Sequence, residues 1–195
     1  MLWAASSGRE EGLPAGYAPI EYLSTSNTRK EYIDTGISGD TNTKIELQAA
    51  GVTYTSFGVY SFFGAIDSGG NRFSILTRNN SFHADFGDNG KNLNLTLAVG
   101  EVYTLVKDGL DNYINGVPYA SNPAKPSSRS LSVWLSAIHS EGGNYSFTGL
   151  RIYDCKIWKQ GELLRDFIPV SNGREEALYD RVSGTLFPKQ TLASS

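Results

Sequence analysis

This chain is a succession of short strand-like runs broken by turn residues, and that rhythm constrains its fold more than any other feature. Candidate strands cover residues 20–23, 31–34, 43–48, 58–66, 72–77, 82–86, 111–114, 117–120 and 131–138. Within 43–48, Ile45 and Leu47 share one face. Leu93, Leu95 and Leu97 alternate strictly, and so do Val102, Thr104 and Val106. Two apolar runs, 150–158 and 163–170, close the chain and are joined by the turn Lys159-Gln160-Gly161-Glu162. No helix-period segment is longer than three turns, and residues 162–167 are the nearest ambiguity. About a dozen strands at roughly 8–12-residue spacing predict a β-sandwich or barrel.

The turns carry their own chemistry. Asn115-Gly116 tolerates the positive φ angles of a type I′ hairpin. Gly, Asn, Asp and Ser punctuate the chain at 67–71, 78–81, 88–90, 107–109 and 142–144. The 11 Tyr and 9 Phe suit a pleated, half-buried surface. A length of 195 residues predicts one domain over 18–190, with an arm at 1–17 and a short tail at 191–195.

Charge and cysteine usage exclude several roles. The net charge is −3, and Lys and Arg are dispersed, so no nucleic-acid partner is expected. Cys155 is the single cysteine, which excludes an intrachain disulfide and a cysteine-cluster metal site. Its place in an alternating apolar run predicts a buried thiol. No run of 18 apolar residues is present, so no membrane-spanning helix is expected. Residues 1–16 lack a basic start and a long apolar stretch, and do not read as a secretory signal. Leu2 and Trp3 at the arm tip have two readings: an apolar end tucked onto its own domain, or an anchor docking into a partner subunit.

Several segments together resemble a known family. They are Pro19-Ile20-Glu21-Tyr22-Leu23, Tyr32-Ile33-Asp34-Thr35-Gly36, Phe63-Gly64-Ala65 and Tyr113-Ile114-Asn115-Gly116. The closing block adds Arg151-Ile152-Tyr153, Cys155-Lys156-Ile157, Arg165-Asp166-Phe167-Ile168-Pro169 and Leu178-Tyr179-Asp180. Over residues 17–187 the chain resembles the concanavalin A-like lectin/LamG jelly-roll modules of tailed phages and gut bacteria. The resemblance implies an all-β fold: a two-sheet antiparallel jelly-roll sandwich, concanavalin A-like, with a concave face and rim loops. Arg29-Lys30 and the short tail after Phe187 depart from the usual pattern, which bears on partner specificity more than on fold. Asp34, Asp166 and Asp180 are expected to pair with turn amides or with Arg165 and Arg151.

No catalytic set is legible. Retaining glucanases on this fold carry two carboxylates about 5–5.5 Å apart on one strand face. Their E-x-D-x-x-E spacing does not occur here, and Glu31-x-x-Asp34 does not fit it. His83 and His139 lie in separate strand regions, and no G-x-S-x-G elbow is present. The expectation is a protein that is not an enzyme. Calcium could be held only at the acidic loop 85–89, where Asp85, Asp88 and Asn89 are the candidate ligands. Turn formation explains Asp88-Asn89-Gly90 equally well. No other metal or cofactor is expected.

Carbohydrate binding calls for aromatic platforms, and Trp134, Tyr60 and Tyr113 are the candidates. Trp134 alternates against Val133 and Leu135. If those two point inward, Trp134 faces a sheet exterior, either open or packed under a covering loop. Trp158 ends a strand and is expected to pack. The resulting expectation is a virion structural or decoration protein, made in the host cytoplasm and bound to other capsid, fibre or tail subunits. Its exposed face would hold host or mucosal glycans, and it could form a homo-oligomer. The alternative is an extracellular or cell-surface bacterial lectin module.

Overall fold

The computed structural model describes residues 12–53, 58–79, 81–96, 98–123, 131–143 and 146–193. In chain order the strands are β1 (Ala18–Pro19), β2 (Leu23–Ser24), β3 (Glu31–Ser38), β4 (Thr43–Thr53), β5 (Val59–Ile66), β6 (Arg72–Arg78), β7 (Ser81–Gly87), β8 (Asn89–Thr96) and β9 (Val102–Asp108). They continue as β10 (Asp111–Ile114), β11 (Val117–Tyr119), β12 (Ser132–Leu135), β13 (Ile138–Ser140), β14 (Gly149–Lys159), β15 (Glu162–Ser171), β16 (Glu176–Asp180), β17 (Thr185–Pro188) and β18 (Gln190–Thr191). Residues 162–167 are strand.

The strands form a two-sheet antiparallel sandwich of jelly-roll type. The first sheet runs β11-β10-β9-β4-β14-β15-β16-β17, with β1 along β15 and β2 along β14. The second runs β18-β3-β12-β5-β6-β7-β8. Strand β13 joins β5 in a parallel pair. One apolar core lies between the sheets. Ile45, Leu47, Leu105, Ile152, Cys155 and Phe167 reach it from the first, and Ile33, Phe63, Phe73, Ile75, Phe82 and Leu135 from the second.

Local chemistry sets the hairpins. Gln160 and Gly161 both have positive φ, 54° and 82°, where β14 meets β15. Asn115 and Gly116 do the same between β10 and β11, at 52° and 75°. These are the dihedrals of a type I′ turn, whose twist matches that of the flanking strands.

Alternation alone misplaces one face. In β9 the buried residues are Tyr103, Leu105 and Lys107, while Val102 is exposed, so the inward phase is the opposite of the Val102/Thr104/Val106 pattern. Strand β14 changes phase partway: Leu150 and Ile152 face the core, then Cys155 and Ile157. The register against β4 shifts between Ile152 and Asp154, and this irregularity carries the extra residue.

Lys107 is fully buried inside the sandwich. Its Nζ donates to Asn112 Oδ1 and Asn122 Oδ1, each at 3.1 Å. It also lies 5.3 Å and 5.7 Å from the ring centres of Phe73 and Phe86, within cation–π range. Asn112 Nδ2 donates to Ala120 O at 2.9 Å, and Asn122 Nδ2 to Ala84 O at 3.0 Å. Ala84 belongs to β7, so this network ties the β9–β10 edge of the first sheet to the second.

The ends of the domain are packed. Leu13 and Tyr17 lie against Val170, Ala177 and Tyr179, and Tyr179 Oη donates to Gly12 O at 2.6 Å. Strand β18 extends the second sheet beside β3.

Candidate functional site

One cross-strand row organises the outer face of the second sheet. Trp134 pairs with Gly64, Gly64 with Ser74, Ser74 with Asp85, and Asp85 with Gly90. The chain neighbours of these residues, among them Phe63, Phe73, Ala84 and Phe86, point into the core. The row therefore points away from the first sheet, because side chains alternate along a strand. Two of its positions require glycine. A Cβ on Gly64 would stand 2.7 Å from Ser74 Cβ, and one on Gly90 would stand 2.5 Å from Asp85 Oδ1. The missing side chains let the row sink beside Ile138, whose Cγ1 would lie 3.3 Å from the same Gly64 Cβ.

Asp85 is fully buried in this row. Its Oδ2 accepts from Arg78 Nη2 at 3.1 Å, and Arg72 Nη1 stands off at 3.9 Å, beyond hydrogen-bond distance. The two arginine side chains remain 33% and 37% exposed. Asp85 Oδ1, Ser74 Oγ, Ser61 Oγ and Arg78 Nε are buried without a hydrogen-bond partner. His83 lies beside them, paired with Leu76 and Asn92. Burial, reinforced by the Arg78 charge and opposed by Asp85, holds its pKa below the ordinary 6.5.

Trp134 points to this outer face, but both faces of its ring are covered. Tyr32 stacks at 3.7 Å between centroids and 16° between planes, and His139 at 4.1 Å and 9°. Ala137, Phe147 and Leu192 complete the cluster. His139 Nδ1 lies 2.9 Å from Ser132 O, which fixes the imidazole over the indole. Trp134 is therefore a packed residue in this conformation and not an open platform.

The other sequence candidates are dispersed. Tyr60 is half-buried near the start of β5, its ring folded against Gly58. Tyr113 sits in β10 between the inward-facing Asn112 and Ile114, on the outer side of the first sheet. It cannot share a ligand surface with Trp134. The acidic loop expected at 85–89 is corrected to a strand end and a tight turn. Asp85 lies in β7, Asp88 follows it, and Asn89 opens β8. Phe82, Ala84 and Phe86 all face the core, which draws Asp85 into the strand. The oxygen it offers faces guanidinium groups, an environment opposed to a cation. Among the described residues no group of three His, Cys, Asp or Glu side chains is placed to hold a metal ion. Leu2 and Trp3 lie outside the described residues.

The carboxylates of the closing block hold turns and partners. Asp180 Oδ1 accepts from the amides of Asp166 and Val182, and Arg165 Nη1 is 3.6 Å from Oδ2. Asp166 takes a bidentate pair from Arg181 at 3.0 Å, and Asp34 accepts from the Gly36 amide. Cys155 is fully buried, and burial pushes its thiol pKa well above the usual value. Lys44 lies 4.7 Å from the Trp158 ring centre.

Sequence reasoning missed the Arg72–Asp85–Arg78 set. The signal it left is an arginine at each end of β6, Arg72 and Arg78, beside a single carboxylate, Asp85, in the adjacent β7. A groove of about 990 Å³ also opens between Tyr17, Arg29, Glu31, Glu175, Glu176 and Lys189. Its charges are largely paired internally, Arg29 with Glu31 at 3.3 Å and Lys189 with Glu176 at 3.0 Å. No family model matches the chain, and no curated protein matches it.

Proposed function

We propose that this chain is a non-enzymatic recognition module of the concanavalin A-like type, carried on a phage particle, and that the outer face of its second sheet takes carbohydrate. The observation that carries the reading lies in and beside the sunken row: Ser74 and Asp85 within it, and Ser61, which pairs with Leu76, each hold a buried polar atom without a partner. Leaving such a group unmet costs about 1–3 kcal/mol. A polyhydroxylated ligand offers both donors and acceptors, and so complements hydroxyls, a carboxylate oxygen and guanidinium groups together. Recognition suits Asp85 better than hydrolysis does, because its Oδ2 is committed to Arg78. The particle as carrier rests on the resemblance in the closing block.

The test is a broad glycan panel probed with the purified chain, with and without calcium, beside Asp85→Asn. Binding to one sugar class that is lost in Asp85→Asn, with the melting profile retained, supports the reading. A blank panel overturns the carbohydrate assignment. Antibody labelling of intact particles checks the carrier, and label confined to bacterial surfaces moves the reading to a bacterial lectin.

A further inference from the structure

The ligand face described above is unbalanced in charge and in hydrogen bonding. Two guanidinium groups share a single carboxylate oxygen, Asp85 Oδ2, at 3.1 Å and 3.9 Å. A guanidinium carries five N–H donors in a planar fork. One buried carboxylate oxygen cannot occupy two such forks. Arg78 Nε is buried and unmet, and Arg72 lies beyond hydrogen-bond distance of Asp85. Of the acids near the Arg72 end of β6, Asp67 accepts from Asn71 and Glu141 from the Ser68 amide.

Asp85 has a positioning role in this geometry. It is fully buried, so its carboxylate is fixed by the sheet, and it draws Arg78 over the row. Gly90 is required at the neighbouring position, since a Cβ there would press on Asp85 Oδ1 at 2.5 Å. The arginines keep about a third of their side-chain surface exposed.

Resting on the carbohydrate reading above, we infer that this face selects glycans bearing an oxyanion, a carboxylate or a sulfate, and that Arg72 and Arg78 together grip that group. The oxyanion supplies the acceptors that the two forks lack, in charge-assisted hydrogen bonds.

Arg72→Gln is the discriminating variant, because among the described residues the Arg72 side chain makes only the long contact to Asp85, and its loss should leave the melting temperature unchanged. Binding is measured to polygalacturonate, dextran sulfate and neutral dextran, and to free sulfate against chloride at equal ionic strength. The expected result is binding to at least one acidic polymer that weakens at least about tenfold in Arg72→Gln and falls with added salt. Binding to free sulfate that matches the polymer in affinity overturns the glycan as source of the anion. Tight binding to neutral dextran, equal in Arg72→Gln, overturns the acidic selectivity and leaves the carbohydrate reading standing. Absence of binding to every polymer overturns both.

Discussion

Two clusters of buried polar side chains sit on opposite sides of the same sheet, and they are finished to different degrees. Inside the sandwich, Lys107, Asn112 and Asn122 satisfy one another and reach the backbone of Ala120 and Ala84. On the outer face, Asp85, Ser61 and Ser74 each retain an unmet buried atom. Both clusters are built on strands that otherwise carry apolar residues inward. A buried polar group is stabilising only when its partners are present, and removing one partner exposes the full desolvation cost of the other. The closed network therefore serves the fold, and the outer cluster leaves polar atoms unmet within it.

This contrast is sharpest under substitution of Lys107. Lys107→Ala should destabilise the domain by about 3–5 kcal/mol, because it takes the lysine donor from Asn112 Oδ1, leaves Asn122 Oδ1 with only the Asn112 amide, and opens a gap beside Phe73 and Phe86. Urea unfolding measures it, and a loss under about 1 kcal/mol would break the comparison. Ser74→Ala and Ser61→Ala should leave stability unchanged or raise it by up to about 1–3 kcal/mol, since each removes an unmet hydroxyl. A loss above about 1.5 kcal/mol would show that those hydroxyls are satisfied in the free protein. His83 offers the smallest effect. Its folded pKa lies below the ordinary 6.5, so the unfolded chain binds the proton more tightly. Stability should therefore fall as pH drops from above 6.5 toward the lower folded value. His83→Gln should flatten that part of the profile, and an unchanged slope between the two proteins would remove His83 from the account.

Much of the architecture can be read locally. Gln160-Gly161 and Asn115-Gly116 announce their turns because few residues accept positive φ, and the strands they join follow from the apolar alternation on either side. The burial of Cys155 and the turn-holding role of Asp180 are legible for the same reason. Each depends on neighbours a few residues away or on the face its own strand presents.

The outer site was not legible, and the difference is one of range. Trp134, Gly64, Ser74, Asp85 and Gly90 come from five strands and meet only when those strands pair in register. The sequence offers Asp85 two places, the end of a strand over 82–86 and the start of an acidic loop over 85–89, and pairing with Ser74 decides for the strand. Trp134 was placed on its sheet face by alternation with Val133 and Leu135, but its covering by Tyr32 and His139 depends on how β3 and β13 lie beside it.

The sequence by itself determined that the chain is all-β, where its hairpins turn and which residues are apolar enough to make a core. The tertiary structure alone decided the inward phase of β9, the shift within β14, the burial of Lys107 and the assembly of the Asp85 row. Periodicity says that a strand has two faces, but not which face meets the other sheet. That choice is made by pairing and packing between segments far apart in the chain.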